Sequence, residues 1–413
     1  MHPPSPCPPQ SGLHGFIFHH AMFSLTTLFR KQAPRQAPHR PVVGLDIGSS
    51  SIKMAEIRRS GRQWELLHCG VCPLPPDAVV EGQIKQPETV TQAIRELLAA
   101  NNVTNKQAAI SLGGASVITK KIQMTPMTEL DLEDQIALEA EEYIPFDIEE
   151  VSLDFQIIDQ HPESMDVLLT ACKKEIVQSH TEVVRQAGLE PRVCDLDLFC
   201  LINAYQAFIQ PHAPVTPRSP TAENRSGKPA TGIPQEKQSI ALVNMGTNFL
   251  NIAIVTNNGL PGYIRDHSLG GRQVINEIKT RHDISWAEAE RLLIMPEGAG
   301  ERHSEPANLQ TDIVQPFLEQ VTQQIRQAIN FHRTGNPEQP VAAVALAGGC
   351  ALWANAAAFI MEHLDLPVQT ADPFANLTHR RLQGKQETEK TTPILQMAPR
   401  FMVALGLALR GDM

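Results

Sequence analysis

The pattern of apolar and polar residues along the chain predicts alternating strands and helices. Between residues 42 and 72 three largely apolar runs follow one another, and a glycine turn at 59–62 separates the second from the third. Such runs, bounded by turn residues, are typical of buried strands. An amphipathic helix is then predicted for 87–100 and another strand for 107–114. This alternation indicates an α/β fold class.

The segment 115–165 differs from this pattern, because it contains an acidic amphipathic helix. Thr128, with Asp131 three residues on, predicts a capped helix start, and Pro145 predicts the helix end. One apolar helical face is formed by residues spaced three or four apart: Leu132, Ile136, Ala140 and Tyr143. The elements predicted next are strands at 151–158 and 165–174, a helix up to about 187, and a strand-to-helix step at 192–208.

Two proline-rich segments mark the limits of the predicted domains. Residues 1–40 are rich in proline and histidine and are expected to be disordered or extended, with Met22 favoured as the natural start. Residues 210–238 are polar, dense in proline and without apolar periodicity, which is typical of a solvated linker. The predicted domains are therefore 41–209 and 239–413.

The second domain begins with a strand-turn-strand pattern at residue 240. Ser285 and Glu288 form a capping box that predicts a helix over 285–293. A long helix, a buried strand ending in two glycines and a further helix are predicted at about 311–333, 341–349 and 351–364. A polar insert at 376–392 precedes a final apolar helix at 399–411.

Composition excludes several classes of protein. The 413 residues carry a net charge of -10, which argues against a nucleic-acid-binding surface and against attraction to anionic lipid. No uninterrupted apolar run of about 18 residues occurs, so no membrane-spanning helix is predicted. The 7 cysteines are scattered, which indicates reduced thiols in a cytoplasm rather than a disulfide framework.

Two similar motifs open the two predicted domains. "VVGLDIGSSSIKMAEI" (42–57) and "ALVNMGTNFLNIAIV" (241–255) both read as strand, tight turn and strand. In the first, a glycine frees the backbone to turn, small hydroxyls can cradle an anion, and an acid at the strand end can hold Mg²⁺ through water. Superposition matches the motifs as follows: Asp46 with Asn244, Gly48 with Gly246, Ser49 with Thr247, and Lys53 with Asn251. Two such hairpins facing each other would clamp the phosphates of one nucleotide between the domains.

A third motif completes this hypothesis. The segment "LAGGCA" (346–351) places two glycines at a strand-to-helix turn, where the absence of side chains would permit close approach of a ribose or base. The chain has no G-x-x-x-x-G-K-[ST] loop and no G-x-G-x-x-G after a strand. The signatures of the common competing nucleotide folds are thus absent.

With these motifs the chain resembles the actin-like ATPase superfamily and, within it, the PilM family of type IV pilus assembly proteins. The likeness to the PilM family rests on "PLPPDAVVEGQI" (73–84), "EEYIPFDIEEVSLDFQII" (141–158), "LGGRQVINEIKTRHDISWAEAERL" (269–292) and "APRFMVALGLALRG" (398–411). It covers about residues 22–413 apart from the two polar inserts. It implies an actin-like two-lobed fold with duplicated ribonuclease-H-like domains and an FtsA-type extra subdomain, at about 115–163, in the first lobe.

The resemblance also implies a function. The family binds ATP with Mg²⁺ in the cleft and binds the cytoplasmic N-terminal tail of PilN, an inner-membrane protein that pairs with PilO. The chain is thus expected to be a cytoplasmic adaptor of pilus assembly and twitching motility that reaches the membrane through PilN and links the membrane platform to the pilus motors. Self-association stays open.

The family's site residues carry over to matching positions of this chain. Asp46 would be the magnesium-linked acid. The phosphate- and adenosine-binding residues would be Gly48, Ser49, Ser50, Ser51, Lys53, Gly246, Thr247, Asn248, Gly348 and Gly349.

One departure from the superfamily puts ATP hydrolysis in doubt. An acid usually stands where this chain has Asn244, and an asparagine supplies neither negative charge nor a base. Asp195, in "VCDLDLF", is a candidate substitute that would position the attacking water, although a helix N-cap is the other interpretation. A nucleotide-bound adaptor with slow or no hydrolysis is the first hypothesis. The alternatives are an ATPase that cycles partner release, an FtsA-like division protein and a small-molecule kinase.

The helix over 128–145 suggests a partner site. Tyr143 and Phe146 end this acidic helix and would form one wall of a groove for the PilN tail. The alternative is that both residues belong to the core of a small subdomain.

Overall fold

The computed structural model describes residues 41–61, 63–210, 238–256, 259–294, 310–378 and 394–412. The predicted disordered start at 1–40, including Met22, lies outside the described residues. Nearly all of the predicted linker at 210–238 and most of the polar insert at 376–392 also lie outside them.

The first half of the chain forms a mixed sheet. Its strands are β1 (Val43–Ile47), β2 (Ser51–Ser60), β3 (Gln63–Pro73), β6 (Gln107–Leu112) and β10 (Glu190–Leu196), with the small hairpin β4 (Val79–Val80) and β5 (Gln83–Ile84) lying between β3 and β6 along the chain. The spatial order is β3-β2-β1-β6-β10. The first three strands are antiparallel neighbours, and β6 and β10 continue the sheet in parallel. The strands predicted within 42–72 and 107–114 are confirmed.

The second half repeats this topology. Its strands are β11 (Ser239–Met245), β12 (Leu250–Thr256), β13 (Pro261–His267), β14 (Val341–Ala347) and β15 (Val368–Thr370). The order is β13-β12-β11-β14-β15, again with three antiparallel strands followed by two parallel ones. Strand for strand, β11 corresponds to β1 and β14 to β6. The fold is thus a duplicated α/β unit, as the sequence predicted.

A separate small sheet is inserted into the first half. It consists of β7 (Val117–Met124), β8 (Val151–Gln160) and β9 (Met165–Lys173), in the order β7-β9-β8, and it packs against the helix α2 (Glu129–Ala140). The central strand β9 lies beyond the predicted subdomain limit of 163. The inserted unit therefore extends to Lys173, because β9 hydrogen-bonds to strands on both of its sides.

The helix α2 begins as predicted, because the Thr128 hydroxyl accepts a hydrogen bond from the backbone N–H of Asp131. It ends at Ala140, five residues before Pro145, because tight turns follow Ala140. Tyr143 is consequently turned off the predicted apolar face, and Ile144 is buried with Leu132 and Ile136 instead.

The remaining helices form layers around the two large sheets. They are α1 (Pro87–Ala100), α3 (Lys174–Gln186), α4 (Asp197–Phe208), α5 (Arg272–His282), α6 (Trp286–Ile294), α7 (Gln315–Gly335), α8 (Ala356–Leu364) and α9 (Met402–Ala408). α1 and α3 cover the outer face of the first sheet, and α5 to α8 cover the outer face of the second. α4 and α9 lie between the sheets and share one core with both. The capping box at Ser285 and Glu288 is confirmed at the start of α6.

The end of the chain corrects the predicted domain boundary at 239–413. The predicted final helix is broken into single turns at 398–401 and 409–412 around α9. α9 packs on α4, β1 and β2, so it belongs to the core of the first sheet. The short strand β16 (Leu377–Thr378) pairs with β3 of that sheet as well. The chain thus returns to the first half, where α9 packs directly against β1 at Gly44. No helix in the described ranges is long and apolar enough to cross a membrane.

Candidate nucleotide-binding cleft

The ends of β1 and β11 open into one cleft between the two halves. This cleft is open to solvent. Every residue that the sequence predicted for phosphate, adenosine or magnesium lines it: Asp46, Gly48, Ser49, Ser50, Ser51, Lys53, Gly246, Thr247, Asn248, Gly348 and Gly349, together with Asn244. Residues 197 and 199 positions apart in sequence therefore meet, because the two sheets are related copies.

The first hairpin presents a charged pair to the cleft. Asp46 on β1 lies directly opposite Lys53 on β2, and the Lys53 Nζ is 3.3 Å from the Asp46 carboxylate. A Cβ at position 48 would lie 2.7 Å from the Lys53 Nζ, so Gly48 leaves room for the ammonium group. The turn is closed by a hydrogen bond from the Gly48 N–H to the Ser51 carbonyl.

The second hairpin has the same register but a neutral pair. Asn244 lies opposite Asn251, and its Nδ2 donates to the Asn251 Oδ1 at 2.9 Å. The Nδ2 of Asn251 donates in turn to the Asp266 carboxylate on β13 at 2.7 Å. Burial raises the pKa of Asp266, and the hydrogen bonds from Asn251 and from the Gly114 N–H oppose this rise. Sequence reasoning missed Asp266, because no motif surrounds it.

The two hairpins contact each other across the cleft. The Thr247 hydroxyl donates to the Ser50 hydroxyl, and the Asn248 Nδ2 donates to the Ser49 hydroxyl, both at 2.9 Å. Since each serine oxygen accepts a hydrogen bond here, its own hydroxyl proton stays available to a further acceptor. The two turns thus lie within hydrogen-bond reach of the same small volume.

Arg272, which the sequence analysis did not select, hydrogen-bonds to both halves of the protein next to the contact between the hairpins. Arg272 donates from its Nε to the Asn248 Oδ1 at 2.6 Å and from its Nη2 to the carbonyl of Pro76 in the first half at 2.7 Å. Arg272 stands at the start of α5, directly after the pair Gly270–Gly271, and this position was the sequence feature that could have identified it as a residue of the cleft.

The glycine pair forms a further wall. Gly348 has a φ of 87°, and a Cβ there would lie 2.5 Å from the Met245 carbonyl, so only glycine fits without strain. Beside Gly349 runs the side chain of Arg400, which pairs with Glu290 at 2.6 Å. This part of the cleft is completed by Ile275, Cys350 and Trp353. Sequence reasoning did not select Arg400 or Glu290, although both lie in segments that resemble the family.

The corresponding strand of the first half also ends in two glycines. β6 runs into Gly113 and Gly114, just as β14 runs into Gly348 and Gly349. Gly113 lines the cleft, and Gly114, with a φ of 67°, contacts the second half. The internal duplication therefore extends beyond the hairpins to this pair, which the sequence analysis treated as an ordinary strand end.

The structure places Asp195 outside the cleft. Its carboxylate is buried, lies 2.5 Å from the Arg410 guanidinium and accepts the Leu196 N–H at 2.7 Å. It is not the N-cap of α4 either, because that position is Leu196. The charge of Asp195 is thus neutralised by the returning C-terminal segment, and the proposed role in water positioning has no geometric support.

The neighbouring acid, Asp197, lines the cleft instead. Burial and the nearby charge of Asp46 raise its pKa to about 7, against opposing contributions from the Ser111 hydroxyl and Lys53. A buried carboxyl group in a cleft with a pKa near neutral pH has the properties expected of a general base. The sequence signal was present, since Asp197 stands two residues after Asp195 at the same strand-to-helix step.

The donor set fits a magnesium ion held mainly through water and phosphate. Among the described residues, no group of three or more His, Cys, Asp or Glu side chains is arranged to ligate a metal directly. Asp46 is the carboxylate beside the serine turn, and Mg²⁺ commonly binds through one carboxylate, waters and substrate phosphates.

The predicted partner residues lie apart from the cleft, in the turn that follows α2. Tyr143 is 38% exposed and Phe146 is 40% exposed, so the alternative that they form the core of the inserted unit is wrong. The Lys173 ammonium lies 4.6 Å from the centre of the Phe146 ring. The two aromatic rings thus form part of the surface of the small sheet.

The duplicated sheets, with paired hairpins facing one cleft, define a protein of the actin-like ATPase class. The chain belongs to the family described as type IV pilus assembly protein PilM, whose model matches residues 44–218 and 223–412. A solved structure titled "PilM-PilN type IV pilus biogenesis complex" is 24% identical, covers 91% of this chain and 100% of that chain, and superposes with a TM-score of 0.73.

More distant structures cover a similar share of the chain. The ethanolamine utilization protein EutJ from Carboxydothermus hydrogenoformans is 15% identical over 91% of each chain, with a TM-score of 0.46. MreB5 of Spiroplasma citri bound to ADP is 10% identical over 89% of this chain and 94% of that chain, with a TM-score of 0.45.

Proposed function

We propose that this protein is an ATP-binding adaptor of type IV pilus assembly that binds the cytoplasmic N-terminal tail of PilN. The observation that carries the nucleotide part is the meeting of the two hairpins over one cleft, with Thr247 and Ser50 in contact across it. The partner part is supported by family membership and by the solved PilM–PilN complex.

Each wall of the cleft would have its own role toward ATP. Lys53 and the hydroxyls of Ser49, Ser50, Ser51 and Thr247 would donate to phosphate oxygens, while Gly348 and Gly349 would admit adenosine. Bound Mg²⁺ would neutralise phosphate charge, and Asp46 would orient its waters. Asn244 would accept a hydrogen bond from such a water without adding charge.

The partner surface would include Tyr143 and Phe146. Their rings are partly exposed, and Glu139, Glu141 and Glu142, which lie within a few residues of them along the chain, would attract a basic residue of the PilN tail. Through PilN the protein would lie at the cytoplasmic face of the inner membrane, indirectly linked to PilO and the pilus motors.

Two titrations test this proposal. Purified protein is expected to bind Mg·ATP in calorimetry, and a fluorescent PilN-tail peptide is expected to show saturable anisotropy. Phe146→Ala should weaken peptide binding about tenfold, a typical cost for an aromatic anchor. Phe331→Ala, a matched change at an aromatic residue of α7 that is 69% exposed, should leave peptide binding unchanged. Equal effects of the two substitutions would contradict the partner site.

A second candidate function, active ATP hydrolysis, is favoured by the position of Asp197 in the cleft. After loading with radiolabelled Mg·ATP and removal of free nucleotide, retention of ATP over hours supports the adaptor. Conversion to ADP supports the ATPase, and Asp197→Asn should then slow it at least about 100-fold, as expected for loss of a general base. A rate unchanged by this substitution would exclude Asp197 as the base.

A further inference from the structure

We propose that a row of hydrogen bonds through Asn244, Asn251, Asp266 and Gly114 couples the nucleotide cleft to the inserted three-stranded sheet. Asp266 is the positioning residue of this row. The inference rests on the proposed function, since it concerns how nucleotide would control the surface around Tyr143 and Phe146.

The first half of the row crosses three neighbouring strands. Asn244 on β11 lies opposite Asn251 on β12, which lies opposite Asp266 on β13. The two side-chain hydrogen bonds measure 2.9 and 2.7 Å, so the three side chains form one continuous chain of contacts. The row begins in the cleft, because Asn244 lines it.

The acceptor atoms of Asp266 give this row a direction. The Asp266 Oδ1 accepts a hydrogen bond from the Asn251 Nδ2, so Asn251 presents its Oδ1 to Asn244. Asn244 therefore uses its Nδ2 within the row and keeps its Oδ1 as an acceptor. A Cβ at Gly348 would lie 2.6 Å from that Oδ1, so the acceptor faces the glycine wall of the cleft. Asp266 thus determines that Asn244 presents its Oδ1 to the cleft. A bound nucleotide, or a water held by its metal ion, would contact this oxygen.

The other end of the row holds the start of the inserted sheet. The second carboxylate oxygen of Asp266 accepts the Gly114 N–H at 3.0 Å. Gly114 lies between β6 of the first sheet and β7 of the inserted sheet. The ring of Phe249, from the turn of the second hairpin, covers the same glycine, since a Cβ there would lie 2.5 Å from it. Asp266 and Phe249, both from the second half, therefore contact Gly114, which lies at the connection between the first sheet and the inserted sheet.

This arrangement supplies a physical route for coupling. A ligand that closes the cleft moves the second hairpin relative to the first, and both Phe249 and the Asp266 row move with it. The position of Gly114, and of β7 behind it, then depends on nucleotide state. Allosteric couplings in proteins typically change affinity about 5- to 150-fold, and they are reciprocal.

The test is a thermodynamic cycle on the full-length chain. Affinity for the PilN-tail peptide is measured by anisotropy with and without saturating Mg·AMPPNP. Wild type is expected to bind the peptide at least about fivefold tighter with nucleotide. In Asp266→Asn this ratio should fall to within about twofold, whatever happens to either affinity alone. A structural role of Asp266 without coupling would lower stability but leave the ratio in place.

A matched control makes the same chemical change outside the row. Asp372 also accepts a backbone N–H through its carboxylate, from Phe374 at 3.0 Å. Asp372→Asn should keep the wild-type ratio. If Asp266→Asn fails to fold, Asn251→Leu is the alternative variant, because it interrupts the row but leaves the Asp266–Gly114 hydrogen bond intact. In this variant too, the ratio of peptide affinities with and without nucleotide should fall to within about twofold.

The outcomes separate this inference from the proposed function. Retention of the ratio in Asp266→Asn, or in Asn251→Leu, overturns the inference. A wild-type protein that binds both ligands independently overturns it too, although the adaptor function then stands. Failure of wild type to bind nucleotide or peptide at all removes the proposed function itself.

Discussion

The two hairpins of the cleft share one backbone and differ in charge. In both, the last residue but one of the first strand lies opposite the residue seven positions later in the chain, on the second strand. The first pair is Asp46 and Lys53, an ion pair at 3.3 Å, and the second is Asn244 and Asn251, a neutral amide pair. The two hairpins thus share their pairing geometry, while only the first carries charge at this pair.

The surrounding carboxylates suggest why the neutral pair suits this site. Burial is the main cause of the raised pKa of Asp197, and the nearby charges of Asp46 and Asp266 raise it further. A carboxylate at position 244 would be separated from Asp266 only by the side chain of Asn251. It would add a further negative charge to this group of carboxylates and so increase their mutual repulsion. The first hairpin therefore carries the charge that would hold the metal and phosphates, and the second carries hydrogen bonds that would orient them.

The largest expected effect comes from removing the cation of the first hairpin. Lys53→Met should weaken Mg·ATP binding about 10- to 150-fold, because charge-assisted hydrogen bonds contribute about 1.5–3 kcal/mol and Asp46 would be left unpaired near the phosphates. Calorimetry measures this change. Lys85→Met, at an exposed lysine that bonds to Gln83, is the control and should change little. A loss below about threefold for Lys53→Met would mean that the hairpins are equivalent after all.

The acid of the first half should also make stability depend on pH. Because the pKa of Asp197 is raised to about 7 in the folded state, the native protein keeps a proton between about pH 4 and 7 that the unfolded chain has lost. Stability contributed by this proton is lost as pH rises, with a slope of up to about 1.4 kcal/mol per pH unit.

Comparison with Asp197→Asn isolates this contribution. Burial lowers the pKa of His180 to about 4, and this residue acts in the opposite direction over part of the range. The difference in unfolding free energy between wild type and Asp197→Asn, measured by denaturant titration at several pH values, should therefore decline from pH 4 to 7. A difference that stays constant over that range would refute the raised pKa.

Replacing Asn244 by an aspartate should lower the stability of the protein unless the hydrogen bonds of the row can reverse their direction. In Asn244→Asp the new carboxylate faces the Asn251 Oδ1, and Asn251 cannot turn because Asp266 needs its Nδ2. Two facing acceptors should cost about 1–3 kcal/mol of unfolding free energy. Adding Asp266→Asn lets Asn251 reverse, so the double variant should recover most of the loss. Additive losses in this double-mutant cycle would show that the row has no fixed direction.

Local sequence patterns were sufficient for much of this structure. The hairpins, their register partners and the glycine wall could be predicted, because each depends on residues within about fifteen positions of one another. Asp46, Lys53 and Gly348 all line the cleft as expected. Thr128 and Ser285 begin helices for the same local reason.

The misassigned features depend on contacts between distant residues. Two acids stand in "DLDL" at the strand-to-helix step, and only the presence of Arg410, 215 positions away, reveals that Asp195 is the neutralised one. Asp266 acquires its role from Asn251 on the next strand and Gly114 in the other half. Tyr143 left its predicted face because the helix stopped at Ala140, where turn hydrogen bonds compete with a further helical turn.

The return of α9 to the first sheet has a consequence for how the chain can be divided. Gly406 packs directly on the carbonyl of Cys200 in α4, and residues of both large sheets belong to the same core around these helices. A cut anywhere in 211–237 would therefore separate the chain into two fragments that each lack part of a core supplied by the other. We therefore expect that neither fragment folds as an independent unit, because α4 lies in one fragment and α9 in the other while both helices belong to the same core.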